Sequence, residues 1–326
     1  MMKTIEESPV VYSEDGRLLV TTIDTGITSL IVPDGVERIC SHAFLECHDL
    51  SEISLPDSLC QIDELAFDDC ISLTKIRIPS SVVSIGADCF NGCVHLRAIE
   101  VDSGNPLYKE EDGVLFDKDM HTLLAYPLGE DRDIYVVPEG VNHLGRNCFM
   151  GNEVLKQIVL PSSLRTIGSG AFMGCQVLKT VIFPDGLTTI EDLAFANCVS
   201  LIAVELPGSI QSIGGAAFDS CISMETLFLP EGFVHLDEKA FSFCKQLREV
   251  HLSSTVREIG LYSFEGCSSL KDIYCGIKDP NSIWIEPLDV NGEHGLCCTL
   301  HVPEESLALY FKHPIFGKFL KIASSS

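Results

Sequence analysis

Cysteine carries the most chemical potential in this sequence. Fifteen of 326 residues are cysteine, enough in number for a disulfide framework, a set of soft metal ligands or a catalytic thiolate. The positions of eight argue against all three. Cys47, Cys70, Cys93, Cys175, Cys198, Cys221, Cys244 and Cys267 each follow a phenylalanine by three residues, and within two runs they recur every 23. If each period makes one turn of a stacked chain, these eight form a single column of inward-facing side chains. Stacked at the roughly 4.8 Å of paired strands, parallel side chains keep their Cβ atoms about that far apart. A disulfide wants about 3.5 to 4.5 Å. Buried thiols acting as small apolar fillers are the expectation. Cys297 and Cys298, with Cys275 and His294 near in sequence, could offer soft ligands, but the chain has no CxxC pair and the spacing matches no zinc pattern. No metal and no cofactor is expected, and Cys297 and Cys298 are expected to pack beneath a C-terminal cap.

Ten histidines and many carboxylates are scattered without a nucleophile motif or a phosphate-cradling glycine loop. Asp15-Gly16 and Asp112-Gly113 read as turn signals rather than as calcium loops. No residue is assigned a catalytic role, and the chain is not expected to be an enzyme.

Lys plus Arg number 22 against 47 Asp plus Glu, a net charge of −25. That field repels nucleic acid and anionic membrane surfaces and favours solubility. The opening Met1-Met2-Lys3-Thr4-Ile5-Glu6-Glu7-Ser8 has a lysine with no apolar run behind it, and no stretch is long and apolar enough to span a bilayer. Taken as a native start, this end points to a soluble protein inside the cell.

The positioning elements follow from the same period. Phenylalanine recurs at Phe44, Phe67 and Phe90, then at Phe149, Phe172, Phe195, Phe218, Phe241 and Phe264, every step being 23 residues except one of 59. Proline keeps the frame from Pro33 to Pro230. One unit reads Leu73-Thr74-Lys75-Ile76-Arg77-Ile78-Pro79, then Val82, Ile85, Gly86, Phe90 and Cys93, or LxxIxLPxxLxxIGxxAFxxC in general form. Around Ile76 and Ile78 apolar and polar residues alternate with the period of a half-buried strand, and the proline ends it. A second apolar pair and a turn at the Ala-Phe dipeptide bring the chain back, making one coil per repeat with the phenylalanines stacked in an internal column.

This pattern resembles the BspA-type leucine-rich repeat family from about Ile27 to Val302. The resemblance implies a β-rich solenoid with a right-handed coil and a parallel sheet on one face, here of about eleven coils with a hairpin insertion and terminal caps. It also implies a module that binds proteins or other surface ligands, secreted or at the cell surface, rather than an enzyme. The chain reads as a single solenoid over 1–326: an N-terminal cap over 1–26, repeats over 27–101, an insertion over 102–133, repeats over 134–298 and a C-terminal cap over 299–326.

The 59-residue step equals two periods plus 13 or one period plus 36. Within it, apolar runs flank Asp117-Lys118-Asp119, a hairpin that interrupts the stack or projects from it. Tyr12, Asp15-Gly16 and Leu18-Leu19 echo the order of Tyr108, Asp112-Gly113 and Leu115, as though the array opens with a copy of that device, which would cap the first coil. The tail, Leu300-His301-Val302-Pro303 and onward to Phe316 and Phe319, reads as a last strand and a short helix whose aromatics cover the other end.

A surface can be located by alternation. The residue between the two inward ones of each strand points outward. Sampled once per period, that position gives Ile31, Ser54, Arg77 and Glu100, then Val136, Val159, Ile182, Glu205, Phe228, His251 and Tyr274. Val136, Val159 and Ile182 should lie side by side, with Phe228, His251 and Tyr274 continuing the row beyond Glu205. Contiguous exposed apolar and aromatic residues are what a protein or glycan partner needs. These six are the expected ligand site, flanked by Gln157, Thr180 and Thr226.

Overall fold

In a computed structural model, residues 8–286 and 298–325 are described. The chain is a β-solenoid of about 13 turns, more than the eleven or so coils expected. It forms two compact units, one of Met1–Arg132 and Gly145–Val154, the other of Asp133–Leu144 and Leu155–Ser326.

Most coils contribute two strands where the sequence pattern indicates one. The alternating segment is a strand of three or four residues, such as Lys75–Ile78. The short apolar pair that follows is a second, two-residue strand, such as Ser84–Ile85. In the first unit Arg38–Ile39, Gln61–Ile62 and Ser84–Ile85 pair in parallel, and Ser29–Ile31 with Glu52–Ser54 and Lys75–Ile78 with Ala98–Val101 form parallel pairs. In the second unit the two-residue strands run in unbroken parallel register from His143–Leu144 to Trp284–Ile285. The longer strands form two groups, Ile134–Val136 to Thr180–Ile182 and Thr226–Phe228 to Lys321–Ser324. Between them Ala203 makes only an isolated bridge to Thr180.

Proline ends the longer strand and starts a turn, its carbonyl accepting the amide of the residue three on, as in Leu187 to Pro184 at 3.1 Å. The Ala-Phe turn satisfies its backbone by reaching forward. The amides of Leu193, Phe195 and Asn197 donate to the carbonyls of Gly215, Ala217 and Asp219 in the next coil at 2.8, 2.7 and 2.8 Å. Aiming every second amide this way puts Leu193 and Asn197 at φ of 58° and 60°. The same two positions around Phe44 and Phe67 are left-handed in non-glycine residues as well.

The phenylalanine columns form as expected. Phe44 and Phe67 stack at 5.1 Å and Phe67 and Phe90 at 5.8 Å, while in the second unit Phe172, Phe195 and Phe218 follow at 4.9 and 5.0 Å. The cysteines do more than fill space. The thiols of Cys70 and Cys93 donate to the carbonyls of Phe44 and Phe67, and those of Cys198, Cys221, Cys244 and Cys267 to Phe172, Phe195, Phe218 and Phe241, all at 3.1 to 3.3 Å. A weak donor is well used on a carbonyl that already accepts one amide in an apolar interior. Burial pushes the thiols of Cys70, Cys93, Cys198 and Cys221 well up, so they stay protonated at neutral pH and lack the thiolate that nucleophilic or metal-binding chemistry requires.

The insertion extends the core of the first unit. Tyr108–Glu111, Val114–Asp117 and Thr122–Ala125 form an antiparallel meander, with Val114, Leu115 and Phe116 buried. Tyr126 lies 4.9 Å from Phe149, ring on ring, so it occupies the phenylalanine position and the long step divides as 36 plus 23. Asn105, 1% exposed, clamps the entry to the meander: its amide donates to Pro79 and Val82 carbonyls and its oxygen accepts the Leu107 and Tyr108 amides.

The N-terminal hairpin, Val10–Tyr12 with Leu18–Thr22, is a copy of part of this device in a different register from the one expected. The Thr22 amide donates to the Ala43 carbonyl and the Tyr126 amide to the Cys148 carbonyl, each acceptor preceding a column phenylalanine. Thr22 therefore matches Tyr126, and Asp15-Gly16 matches Asp119-Met120, with Gly16 and Met120 both left-handed. Asp112-Gly113 serves the other turn of the meander.

At the C-terminus Thr299–Val302 is followed by the helix Leu307–Lys312, with Tyr310 and Phe316 fully buried. A further parallel strand, Lys321–Ser324, lies within the expected cap, beyond the last strand and short helix read from the sequence. Cys298 is buried, and the Cys275 thiol meets the Tyr310 hydroxyl at 3.1 Å. Cys297 and His294 lie outside the described residues; among the described ones no cluster of three or more metal-ligand side chains occurs.

Candidate functional site

The outward row of the longer strands is built by register. Val136 pairs with Val159, and Val159 with Ile182. Phe228 pairs with His251, His251 with Tyr274, and Tyr274 with His301. Alternation turns Tyr135, Ile158 and Val181 into the core and their neighbours out. Val136 and Ile182 are 61% and 58% exposed and Phe228 is 54%, so none of the described residues covers these positions. Val159, His251 and Tyr274 are half-buried because each has a neighbour on either side.

The two stretches differ in chemistry. Val136, Val159 and Ile182, with Ile134 also exposed beside them, make an aliphatic strip. Phe228, His251, Tyr274 and His301 form a ladder of nearly parallel rings with centroids 4.2, 4.5 and 4.5 Å apart. Stacking covers the faces of the inner rings and leaves their edges to solvent, whereas Phe228 at the end keeps one face open. A carboxylate holds one imidazole from the adjacent outward position, Asp272 Oδ1 lying 2.7 Å from His301 Nε2, whereas Glu249 Oε2 is 3.6 Å from His251 Nε2, outside hydrogen-bond reach. Glu205, which the period places between the two stretches, is exposed but lies in no strand, and the row is interrupted there.

His301 is the member that the periodic sampling misses. The step to it from Tyr274 is longer than the period, yet His301 sits at the outward place of a strand already legible as Leu300-His301-Val302-Pro303. In the first unit two of the four equivalent positions, Arg77 and Glu100, are spent on ion pairs, while Ile31 is exposed. Arg77 holds Asp102 through two bonds of 2.7 Å, and Lys75 meets Glu100 at 2.6 Å. The flanking Gln157, Thr180 and Thr226 line the aliphatic strip and the start of the ring ladder. No described side chain in the row forms a nucleophile-base pair.

Residues 23–112 and 142–273 match the BspA type leucine rich repeat region, in 6 copies. No curated protein sequence matches the chain. Among solved structures, the pneumococcal vaccine antigen PcpA shares the fold with a TM-score of 0.63 at 21% identity, over 92% of this chain and 68% of that one. A leucine rich cell surface protein from Faecalibacterium prausnitzii A2-165 gives 0.57 at 28% identity, over 76% of this chain and 59% of that one. A leucine-rich repeat protein from Eubacterium ventriosum gives 0.53 at 19% identity, over 87% and 92%.

Proposed function

We propose, from the premise that this chain belongs to the BspA-type leucine-rich repeat family, that it is a non-catalytic interaction or adhesion module whose outward row binds a protein or glycan. The observation that carries this reading is the row itself: Val136, Val159 and Ile182 side by side, then Phe228, His251 and Tyr274 stacked ring on ring. An isolated exposed valine needs no explanation, but aliphatic and aromatic side chains held in register on consecutive strands form a patch, and such patches are interaction sites. Rigid rings lose little entropy on contact and serve as anchors. A sugar ring can pack on the open face of Phe228, while a protein partner can lie along the aliphatic strip with its polar rim against Gln157 and Thr180.

The test is the double substitution Val159→Glu and Ile182→Glu, read out on arrays of immobilised glycans and extracellular proteins. Both side chains project from the sheet, so the melting curve should stay within about 2 °C of the parent while array signals fall at least tenfold. Unchanged signals would remove this face from consideration.

A second reading has its own support. Protonated thiols along the column suit a reducing compartment, which favours an intracellular scaffold using the same surface, whereas the likeness to a cell surface protein favours export. Protease treatment of intact source cells separates the two: digestion of the protein supports surface exposure, and protection supports the scaffold.

A further inference from the structure

A cavity of about 250 Å³ opens in the first unit where the insertion meets the regular coils. Its origin is a break in the stack. The parallel two-residue strands of this unit end at Ser84–Ile85, and the Ile85 amide, which would otherwise face a following strand, takes the Tyr108 hydroxyl at 2.9 Å instead. The inner residues there are correspondingly less covered. Ile85 is half-buried where Ile39 and Ile62 are at 0%, and Phe90 is 8% exposed where Phe44 and Phe67 are at 0%.

The walls are apolar and rich in rings and sulfur: Phe90, Tyr126, Leu115, Cys89, Cys148 and Met150. The polar groups gather around Asp88, which accepts from Asn147 Nδ2 at 2.8 Å and faces Arg146 Nε at 3.2 Å. Asp88 is pinned at φ 59°, and its side chain is only 10% exposed. Each carboxylate oxygen has one partner and a lone pair to spare. Arg146, 66% exposed and paired with Asp88 by charge, keeps donors for a further group.

We propose that this cavity is a binding site for a small phenol, a single aromatic ring bearing a hydroxyl. Size selects one ring, since an apolar cavity of about 150 Å³ already accepts benzene, and this one is too small for a drug-sized molecule. Aromatic rather than alicyclic character follows from walls that offer two rings and three sulfur atoms, which favour ring faces and edges. The head group follows from charge. A carboxylate would meet Asp88 and a chain of net charge −25, whereas a hydroxyl can donate to Asp88 and accept from Arg146.

The experiment is ¹⁹F NMR of 4-fluorophenol titrated with the full chain, with 4-fluorobenzoate and fluorinated cyclohexanol as comparison probes. A ligand of this size should bind with Kd of about 0.1 to 1 mM, and both comparison probes should bind at least fivefold more weakly. Ala125→Phe, which puts a ring into the cavity, should remove the broadening of the phenol signal. Ala87→Phe at the exposed mouth does the same job if the first variant fails to fold by circular dichroism. No broadening with the parent chain, equal broadening in a folded filled variant, or equal binding of the benzoate would each overturn the proposal.

Discussion

Phe195→Ala is the most direct measurement of what the repeat does for stability. Phe195 is fully buried, with its ring 4.9 Å from Phe172 on one side and 5.0 Å from Phe218 on the other, and Phe183 edge-on at 5.8 Å. Replacing the ring loses its transfer free energy and leaves a void that cannot close, because the backbone above and below is fixed by forward hydrogen bonds. The expected cost is about 3 to 5 kcal/mol, of which each stacked pair accounts for about 0.5 to 1.5. Phe264 has one column neighbour, Phe241, at 6.1 Å among the described residues, so Phe264→Ala should cost about 1 kcal/mol less. The pairwise part is isolated by a cycle. Phe195→Ala with Phe218→Ala should fall short of the sum of the singles by about 0.5 to 1.5 kcal/mol, whereas Phe195→Ala with Phe264→Ala should add to within about 0.5. Urea denaturation followed by far-UV circular dichroism supplies the totals. Hydrogen exchange of flanking amides shows whether coils open one at a time, as repeat arrays can. A loss under about 1 kcal/mol for Phe195→Ala, or full additivity of the adjacent pair, would refute the column as a stabilising unit.

Three further outcomes follow from particular contacts. Leu193→Asn replaces a partly exposed leucine at φ 58° with a residue that tolerates this region, and should raise stability by about 0.5 to 1 kcal/mol, seen as a higher urea midpoint. Asn105→Ala leaves two amides of the insertion without their partner and takes a donor from the Pro79 and Val82 carbonyls, and should cost about 2 to 4 kcal/mol, with exchange of the Leu107 and Tyr108 amides accelerated first. Burial raises the thiols of Cys70, Cys93, Cys198 and Cys221 above their ordinary value of 9.0. Below about pH 8 both folded and unfolded chains hold these protons and stability is flat in this respect. Above about pH 9 the unfolded chain binds fewer, so stability falls by up to about 1.4 kcal/mol per pH unit for each thiol. Melts in reductant from pH 7 to 10 should show this decline, and Cys221→Ala should make it shallower; an unchanged slope would contradict the assignment.

What the sequence makes legible is whatever repeats with its period. The phenylalanine and cysteine columns, the strand at Lys75–Ile78 and the outward face of Val136, Val159 and Ile182 all follow from alternation and a constant step, because one coil's environment is the next coil's environment. Legibility fails where the step changes. His301 escapes because the chain takes more than one period to return to the row after Tyr274. The phase of the insertion is ambiguous because the ring at its column position is Tyr126, and only the dipeptide Ala125-Tyr126, in place of Ala-Phe, marks it. The thiol-to-carbonyl bonds are also invisible in the pattern, since a buried cysteine reads the same whether it merely fills space or donates a bond to the preceding coil. The cavity beside Asp88 is beyond such reasoning altogether, for it arises from a pairing that does not form.

Those backward bonds have a consequence for how such a chain can be copied. A cysteine that donates to the coil before it, and a phenylalanine carbonyl that waits for the coil after it, make the regular internal units links with a matching hook and eye. Duplication of one whole period inserts a link whose two ends are already compatible with what lies on either side, and deletion closes the gap just as cleanly. Length is thus free to drift under selection without any new interaction having to be invented. Novelty is concentrated where the linkage is broken, at the two ends and at the insertion, and those segments carry the departures from the common pattern.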